Sequence, residues 1–339
     1  MKKYILLFTI LACHITITIG QAMYSWKAYP ALQIASFNIP TDNKIYSLCE
    51  GNLFNYDPQT TEIYVYDRIN GLHDTKIQLI SYCEETQKLI VIYENGNIDL
   101  VYANEEVSNL KQLKDKNYTN LIIHSISIYG KTAYICTNFG IVALNTENET
   151  FENTYDLKLD VQCCALDDDY FYISSSTGMY KGDRTLNLLD VNNWEFVSRN
   201  AFHALNFFKN ELIGYNKSTG IFIINQQYFT TTALQLKSLP IFSCYDDIMI
   251  AANQESTYIF HSIDDIEEIA QTNSFNNLTY HKGTYWASQG LKGLQPYKLE
   301  NGQFVATQQP IQPNSPVRDY FCNMHYVGNR LLVAGGDLN

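Results

Sequence analysis

Six histidines follow the N-terminal leader, His73, His124, His203, His261, His281 and His325, and their spacing decides what chemistry they could do. A zinc or hydrolytic site needs ligands or acid–base groups that converge, and paired histidines on one helix turn or clustered cysteines are its usual signs. No His-x-x-x-His pair and no such cysteine cluster occurs. The run Asp167-Asp168-Asp169 precedes a strand-like stretch without the alternating oxygen ligands and central glycine of a calcium loop. It reads as a solvated acidic turn, as do Asp246-Asp247 and Asp264-Asp265. There is no Gly-x-Ser-x-Gly turn to present a nucleophile. The expectation is a non-enzymatic chain with no catalytic residue, no metal set and no cofactor.

Cysteine offers little more. Beyond Cys13 there are seven: Cys49, Cys83, Cys136, Cys163, Cys164, Cys244 and Cys322. An odd number cannot all pair within one chain, and five of them lie in or beside apolar runs, where a free thiol behaves as a small buried hydrophobe. Cys163 and Cys164 are adjacent and point to opposite sides of a strand. An extracytoplasmic location still permits one or two bridges. Among the tryptophans, Trp286 reads as core. Trp194, after Asn192-Asn193, divides evenly between surface contact and packing between repeats, and Trp26 is a further candidate contact residue. The triplets Asn117-Tyr118-Thr119 and Asn216-Lys217-Ser218 fit a glycosylation acceptor, a short pattern that arises often in an asparagine-rich chain.

The elements that would position such residues come from composition and repetition. Residues 1–20 read as a secretory leader: Lys2 and Lys3, an apolar run from Tyr4 to Ala12, then Gly20 or Ala22 as a small residue before cleavage. Ile10-Leu11-Ala12-Cys13 leaves lipoprotein processing open as a weaker alternative. An exported location, at the outer-membrane surface or in the periplasm, follows, with no later membrane-spanning stretch. The net charge of −12 argues against nucleic acid, whose phosphates demand clustered positive charge. The 26 Tyr and 17 Phe suit pleated, half-buried strands, with Asn, Asp and Gly in the turns between them.

A strand-turn-strand unit recurs along the chain. Its clearest copies are 88–101, 132–144, 169–180 and 211–223, preceded by 44–56 and followed by 247–254, 284–291 and 330–336. Turn positions fall at Gly51, Gly96, Gly140, Gly178, Gly220, Gly290 and Gly335, with a glycine-free copy near 254. The spacing of about 34 to 45 residues is the length of a four-stranded propeller blade. Pairs between the units, such as Ile63-Tyr64-Val65-Tyr66, would make the outer edges. Small pairs before the turns (Ser174-Ser175, Ala251-Ala252, Ala287-Ser288) suit crowding near a central axis. Residues 264–272 read as a loop or outer strand more easily than a helix. The fold expected is all-β, a seven-bladed β-propeller of four-stranded antiparallel blades over residues 21–328. Residues 329–339 are then a closing strand or the start of a further domain. Eight blades, or an incomplete second ring, is the alternative; a sandwich or solenoid explains the recurrence less well.

Particular phrases carry a resemblance. Asn70-Gly71-Leu72-His73-Asp74, Tyr93-Glu94-Asn95-Gly96-Asn97-Ile98-Asp99-Leu100, Asn138-Phe139-Gly140-Ile141-Val142-Ala143-Leu144 and Asn153-Thr154-Tyr155 resemble the N-terminal propeller of the PorZ family. The Asn-Gly-Leu phrase is shared with two-component-regulator propellers more widely. The PorZ resemblance implies a seven-bladed ring and a role at the outer-membrane surface of Bacteroidota, in type IX secretion and attachment of cargo to anionic lipopolysaccharide. It also implies a second propeller and a C-terminal β-sandwich. Partners would be proteins of that complex or surface glycan. A second expectation is an extracytoplasmic glycan-sensing domain of a hybrid two-component system. No binding residues are assigned by either.

Overall fold

The computed structural model describes residues 28–334 apart from 117, 119, 228, 235–238, 246, 254, 271–273 and 329. The leader, Trp26 and Gly335 therefore lie outside the described residues. Seven four-stranded antiparallel sheets follow one another along the chain, at 35–66, 77–110, 123–155, 161–198, 204–233, 241–270 and 277–306. In each, the strands neighbour one another in sequence order. The first strands of successive sheets pack side by side around the axis, and the seventh meets the first. This is a seven-bladed propeller.

Burial explains which part of each blade was visible as a repeat. Second strands are covered on both faces by neighbouring blades, so they read as unbroken apolar runs; Lys88–Tyr93 is buried along its whole length. Outermost strands are solvated on the rim, as in Ile266–Ala270, the strand within the 264–272 segment. The recurrent unit is therefore the middle hairpin of each blade, strands two and three. The pairs between units are split: one strand, such as Ile63–Tyr66, ends its blade at the rim, and the next, such as Ile77–Cys83, starts a new blade at the axis. Ser174-Ser175, Ala251-Ala252 and Ala287-Ser288 end second strands, one place out from the axis, and are buried there.

Seven apolar clusters hold the ring, one at each junction between neighbouring blades. Fully burying a Leu, Ile or Phe side chain stabilises by about 1.5–3 kcal/mol, so these junctions dominate the favourable side of folding. Hydroxyls add direction at the axis. Ser125 and Ser127 donate to the carbonyls of Gln162 and Cys164 at 2.8 and 2.6 Å, and Ser243 donates to Leu278 at 2.9 Å. Each links a first strand to the first strand of the following blade.

The ring closes without exchanging a strand. Asn38, fully buried on the first strand, receives the Thr279 hydroxyl at 2.5 Å and donates its amide to Ser288 Oγ at 2.9 Å and Trp286 O at 3.2 Å. Its backbone N–H donates to Asn277 Oδ1 at 3.1 Å. Beside it, Ala35 and Gly290 exchange backbone hydrogen bonds of 3.0 and 2.9 Å. A strap after the seventh blade then ties down the N-terminal segment: Asp319 accepts from Ala31 N–H at 2.6 Å, and Ser315 Oγ from Leu32 N–H at 3.1 Å.

A last hairpin, Asn323–Val327 with Arg330–Ala334, forms a two-stranded sheet of its own outside the ring. Its register, Asn323 opposite Ala334 to Val327 opposite Arg330, repeats that of the seventh blade's first hairpin, Asn277 opposite Ser288 to His281 opposite Thr284. Met324, Tyr326 and Val333 share one side of it, and all three are exposed.

Candidate recognition surface

Up-and-down strands sort the connections onto two faces. First-to-second and third-to-fourth connections gather on one face; second-to-third turns and blade-to-blade crossings gather on the other. The first face carries Glu84-Glu85, Glu105-Glu106, Glu147, Glu149, Asp167-Asp168-Asp169 and Asp264-Asp265, against Lys44, Lys131, Arg184, Lys209 and Lys282. On the second face the charges are mixed. The acidic character of the chain is thus concentrated on one side of the disc.

The histidines do not converge. His124 Nε2 lies 2.6 Å from Asp160 Oδ1, and Gln162 donates to Asp160 Oδ2 at 3.0 Å, a polar group between blades 3 and 4. His73 joins a separate buried knot, and His261 is 3.8 Å from Glu267. Burial first, then nearby lysines, pushes His203 and His281 down. Among the described residues no group of three His, Cys, Asp or Glu side chains could hold a metal ion. Asp167 caps its own turn, accepting from Asp169 N–H at 2.9 Å and Tyr170 N–H at 2.6 Å. Asp168 accepts from the Tyr129 hydroxyl at 2.5 Å.

Cys49, Cys83, Cys136, Cys163 and Cys164 are buried free thiols, and Cys163 and Cys164 enter different clusters on opposite sides of their strand. Desolvation pushes the Cys49 thiol up to about 12, which keeps it protonated and unreactive. Trp286 is core, packed with Tyr56 across the ring closure. Trp194 packs against Tyr155 of blade 3 and donates its indole N–H to Leu188 O at 2.9 Å.

The glycines divide by role. Gly51 sits with Glu50 in a two-residue turn, at φ values of 84° and 47°, left-handed conformations that suit hairpins. Gly96 is likewise in a turn. Gly140, Gly178 and Gly220 instead begin third strands. A Cβ at Gly140 would lie 1.9 Å from the carbonyl oxygen of Tyr155, so this glycine admits the outermost strand to pairing distance. Gly290 serves the ring closure.

One knot draws two of the PorZ-like phrases together. Asp99, with 0 % exposure inside the strand Ile98–Val101, accepts from Tyr93 OH at 2.5 Å, His73 N–H at 2.8 Å and Asn109 Nδ2 at 2.7 Å, with His73 Nδ1 at 3.0 Å. The Tyr93 hydroxyl is raised above its ordinary range by burial and by Asp99. Next to it, Asp74 receives Lys114 at 2.7 Å and Asn95 at 2.6 Å. Burial opposes ionisation of Asp74, but these donors outweigh it and hold the carboxyl at about 2. The arrangement fixes the crossing from blade 1 to blade 2 and presents no nucleophile. The sequence holds one signal of it: an aspartate within the apolar run Ile98-Asp99-Leu100-Val101.

Among the described residues, hollows open at the rim. One, of about 410 Å³, lies between Tyr29, the outermost strand of blade 1 at Ile63 and Val65, Asn70 and the strap at 312–315. Another, of about 290 Å³, lies between Tyr155 of blade 3 and Arg184 to Leu189 of blade 4.

Residues 45–195 match the model of the type IX secretion system PorZ N-terminal β-propeller domain. Over blades 1 to 4 the chain is similar to the PorZ propeller. Both phrases of the Asp99 knot fall inside the matched segment. A solved PorZ, an essential bacterial surface component of the type IX secretion system of Porphyromonas gingivalis, is 22 % identical, with a TM-score of 0.80 over 93 % of this chain. The chain spans 43 % of that protein's length. Two other solved structures are similar at the level of fold. The computationally designed Ika8 protein is 11 % identical, with a TM-score of 0.55 over 91 % of this chain and 96 % of its own. BamB from Moraxella catarrhalis is 16 % identical, with a TM-score of 0.51 over 79 % of this chain and 84 % of its own. No curated protein matches the chain. The ring thus brings together turns, knot and closure but no convergent reactive groups among the described residues. Sequence reasoning missed the Asn38 closure, the charge division and the blade 4 rim, all of which depend on residues far apart in the chain.

Proposed function

We propose that this PorZ-type propeller is a non-enzymatic scaffold or recognition module of type IX secretion, acting at the outer-membrane surface or in the periplasm. The observation that carries the reading is the family match over blades 1 to 4, joined to a fold in which 93 % of this chain follows 43 % of the solved PorZ. Its working parts are rigid loops held on a packed ring, which suits binding better than turnover. Partners would be proteins of the secretion and attachment complex. Surface glycan, lipopolysaccharide included, is the finer alternative, and the hollow beside Tyr29 offers an exposed ring with Asn70, Gln312 and Asn314 for it. Among the described residues no helix is long and apolar enough to cross a membrane. Deleting the gene from the organism that encodes it should strand secreted cargo inside the envelope, with rescue by the intact gene. Normal surface display of cargo in the deletion strain would overturn the reading.

The hairpin at 323–334 belongs to the same proposal as the opening of a further blade. A lone two-stranded hairpin is marginal in water, and this one repeats a blade's inner register while leaving Met324, Tyr326 and Val333 uncovered. Hydrogen exchange on the natural full-length protein checks this. Slow exchange at 323–327 supports it, and rapid exchange there counts against it.

A further inference from the structure

The connection between the third and fourth strands of blade 4, residues 184–193, is the longest of its kind in the ring. It is well ordered by its own side chains: Asp183 Oδ1 accepts from Thr185 N–H at 2.8 Å, and Asp190 Oδ1 from Asn192 N–H at 3.0 Å. Leu188 is buried in the blade 3–4 cluster and anchors the loop from below. Yet Leu186, Leu189 and Val191 are held outward, 50 %, 51 % and 50 % exposed. Beneath the two leucines lies the hollow of about 290 Å³, walled by Tyr134, Tyr155 and Phe171. A fixed loop that displays three apolar side chains beside an aromatic hollow has the form of a contact site, because isolated monomers rarely group such residues.

Charge selects what can sit there. The Arg184 N–H donates to Asp169 O at 2.9 Å, which places the loop beside the Asp167-Asp168-Asp169 turn on the acidic face. Asp190 and Glu195 flank the exposed residues. Arg184, the cation lining the hollow, is engaged by the Asp167 carbonyl and the Tyr129 ring, and the carboxylates around it outnumber it. An anionic lipid or phosphorylated glycan therefore meets net repulsion on approach, whereas a cationic segment is drawn in. We propose that loop 184–193 and its hollow dock a protein segment in which one large apolar residue is flanked by lysine or arginine. The apolar residue fills the hollow, the three exposed side chains cover it, and the flanking cations face the acidic turns. This rests on the reading that the propeller recognises protein partners.

The test places a photo-crosslinking amino acid at Leu189 in the natural full-length protein, expressed in its own organism, with the same probe at Ile63 on the blade 1 rim as comparison. The adduct's peptide is then sequenced. The expected result is a protein adduct at 189 whose peptide holds an apolar residue beside lysine or arginine. Its yield should fall severalfold in Leu186→Ser and in high salt, with the melting temperature of L186S unchanged. An adduct to lipid or lipopolysaccharide, an acidic peptide, or adducts at Ile63 alone overturns the docking site while leaving protein recognition intact. Protein adducts at neither position overturn both.

Discussion

Asp99 has no lysine or arginine among its hydrogen-bond partners and is kept in the core by Tyr93, His73 and Asn109. Replacing it with alanine takes the acceptor from the buried Tyr93 hydroxyl and from the His73 N–H, while Asn109 keeps Asn97 and the Ile98 carbonyl. Asp99→Ala should cost about 3 kcal/mol, read as a lowered urea midpoint at unchanged slope, and a loss below about 1 kcal/mol would contradict the knot's role. Asp74 supplies a pH dependence. Its carboxyl is held at about 2, below the ordinary 3.8, so its contribution to stability is complete above the ordinary value and is lost as pH falls through about 2. Melting followed from pH 5 to pH 2 should therefore fall more steeply in the native protein than in Asp74→Asn. Parallel curves would show that the Lys114 and Asn95 contacts do not stabilise the charge.

At the scale of the blade, glycines that look alike in sequence differ in consequence. Gly140→Ala would push a Cβ into the Tyr155 carbonyl and should cost about 3 kcal/mol or more. Gly302, at φ 72° with nothing within 4 Å of the place a methyl would take, should cost only about 1 kcal/mol when changed to alanine. Equal midpoints for the two variants would remove the close-approach argument. This contrast also marks what the sequence could say. The middle hairpins were legible because burial on both faces makes strands such as Lys88–Tyr93 continuous apolar runs. First strands were harder to place, since those such as Ile123–Tyr129 mix buried and half-buried positions at the axis. Which glycine turns the chain and which admits a neighbouring strand depends on the fourth strand, often well over ten residues away. The Asp99 knot left a local trace; the meeting of Asn38 with Thr279 left none, because pairing across the whole chain has no local signature.

The whole ring depends on that meeting. Propellers often close by completing one blade with strands from both ends, whereas here two complete blades are sealed by Asn38 and the Ala35–Gly290 pair. Asn38→Ala removes the side-chain partner of Thr279, Ser288 and the Trp286 carbonyl while keeping the backbone N–H to Asn277, and should cost about 2–3 kcal/mol with faster proteolysis at the blade 1–7 junction. Unchanged stability would mean that the apolar cluster around Trp286 closes the ring alone. A sealed disc with one acidic face is a rigid platform, and its proposed task is to hold partners in type IX secretion. Affinity capture from outer-membrane extract, using residues 21–339 as bait with quantitative mass spectrometry, tests this most directly. The account predicts enrichment of type IX secretion or cargo-attachment proteins over a bait of equal charge. Their reproducible absence would contradict it.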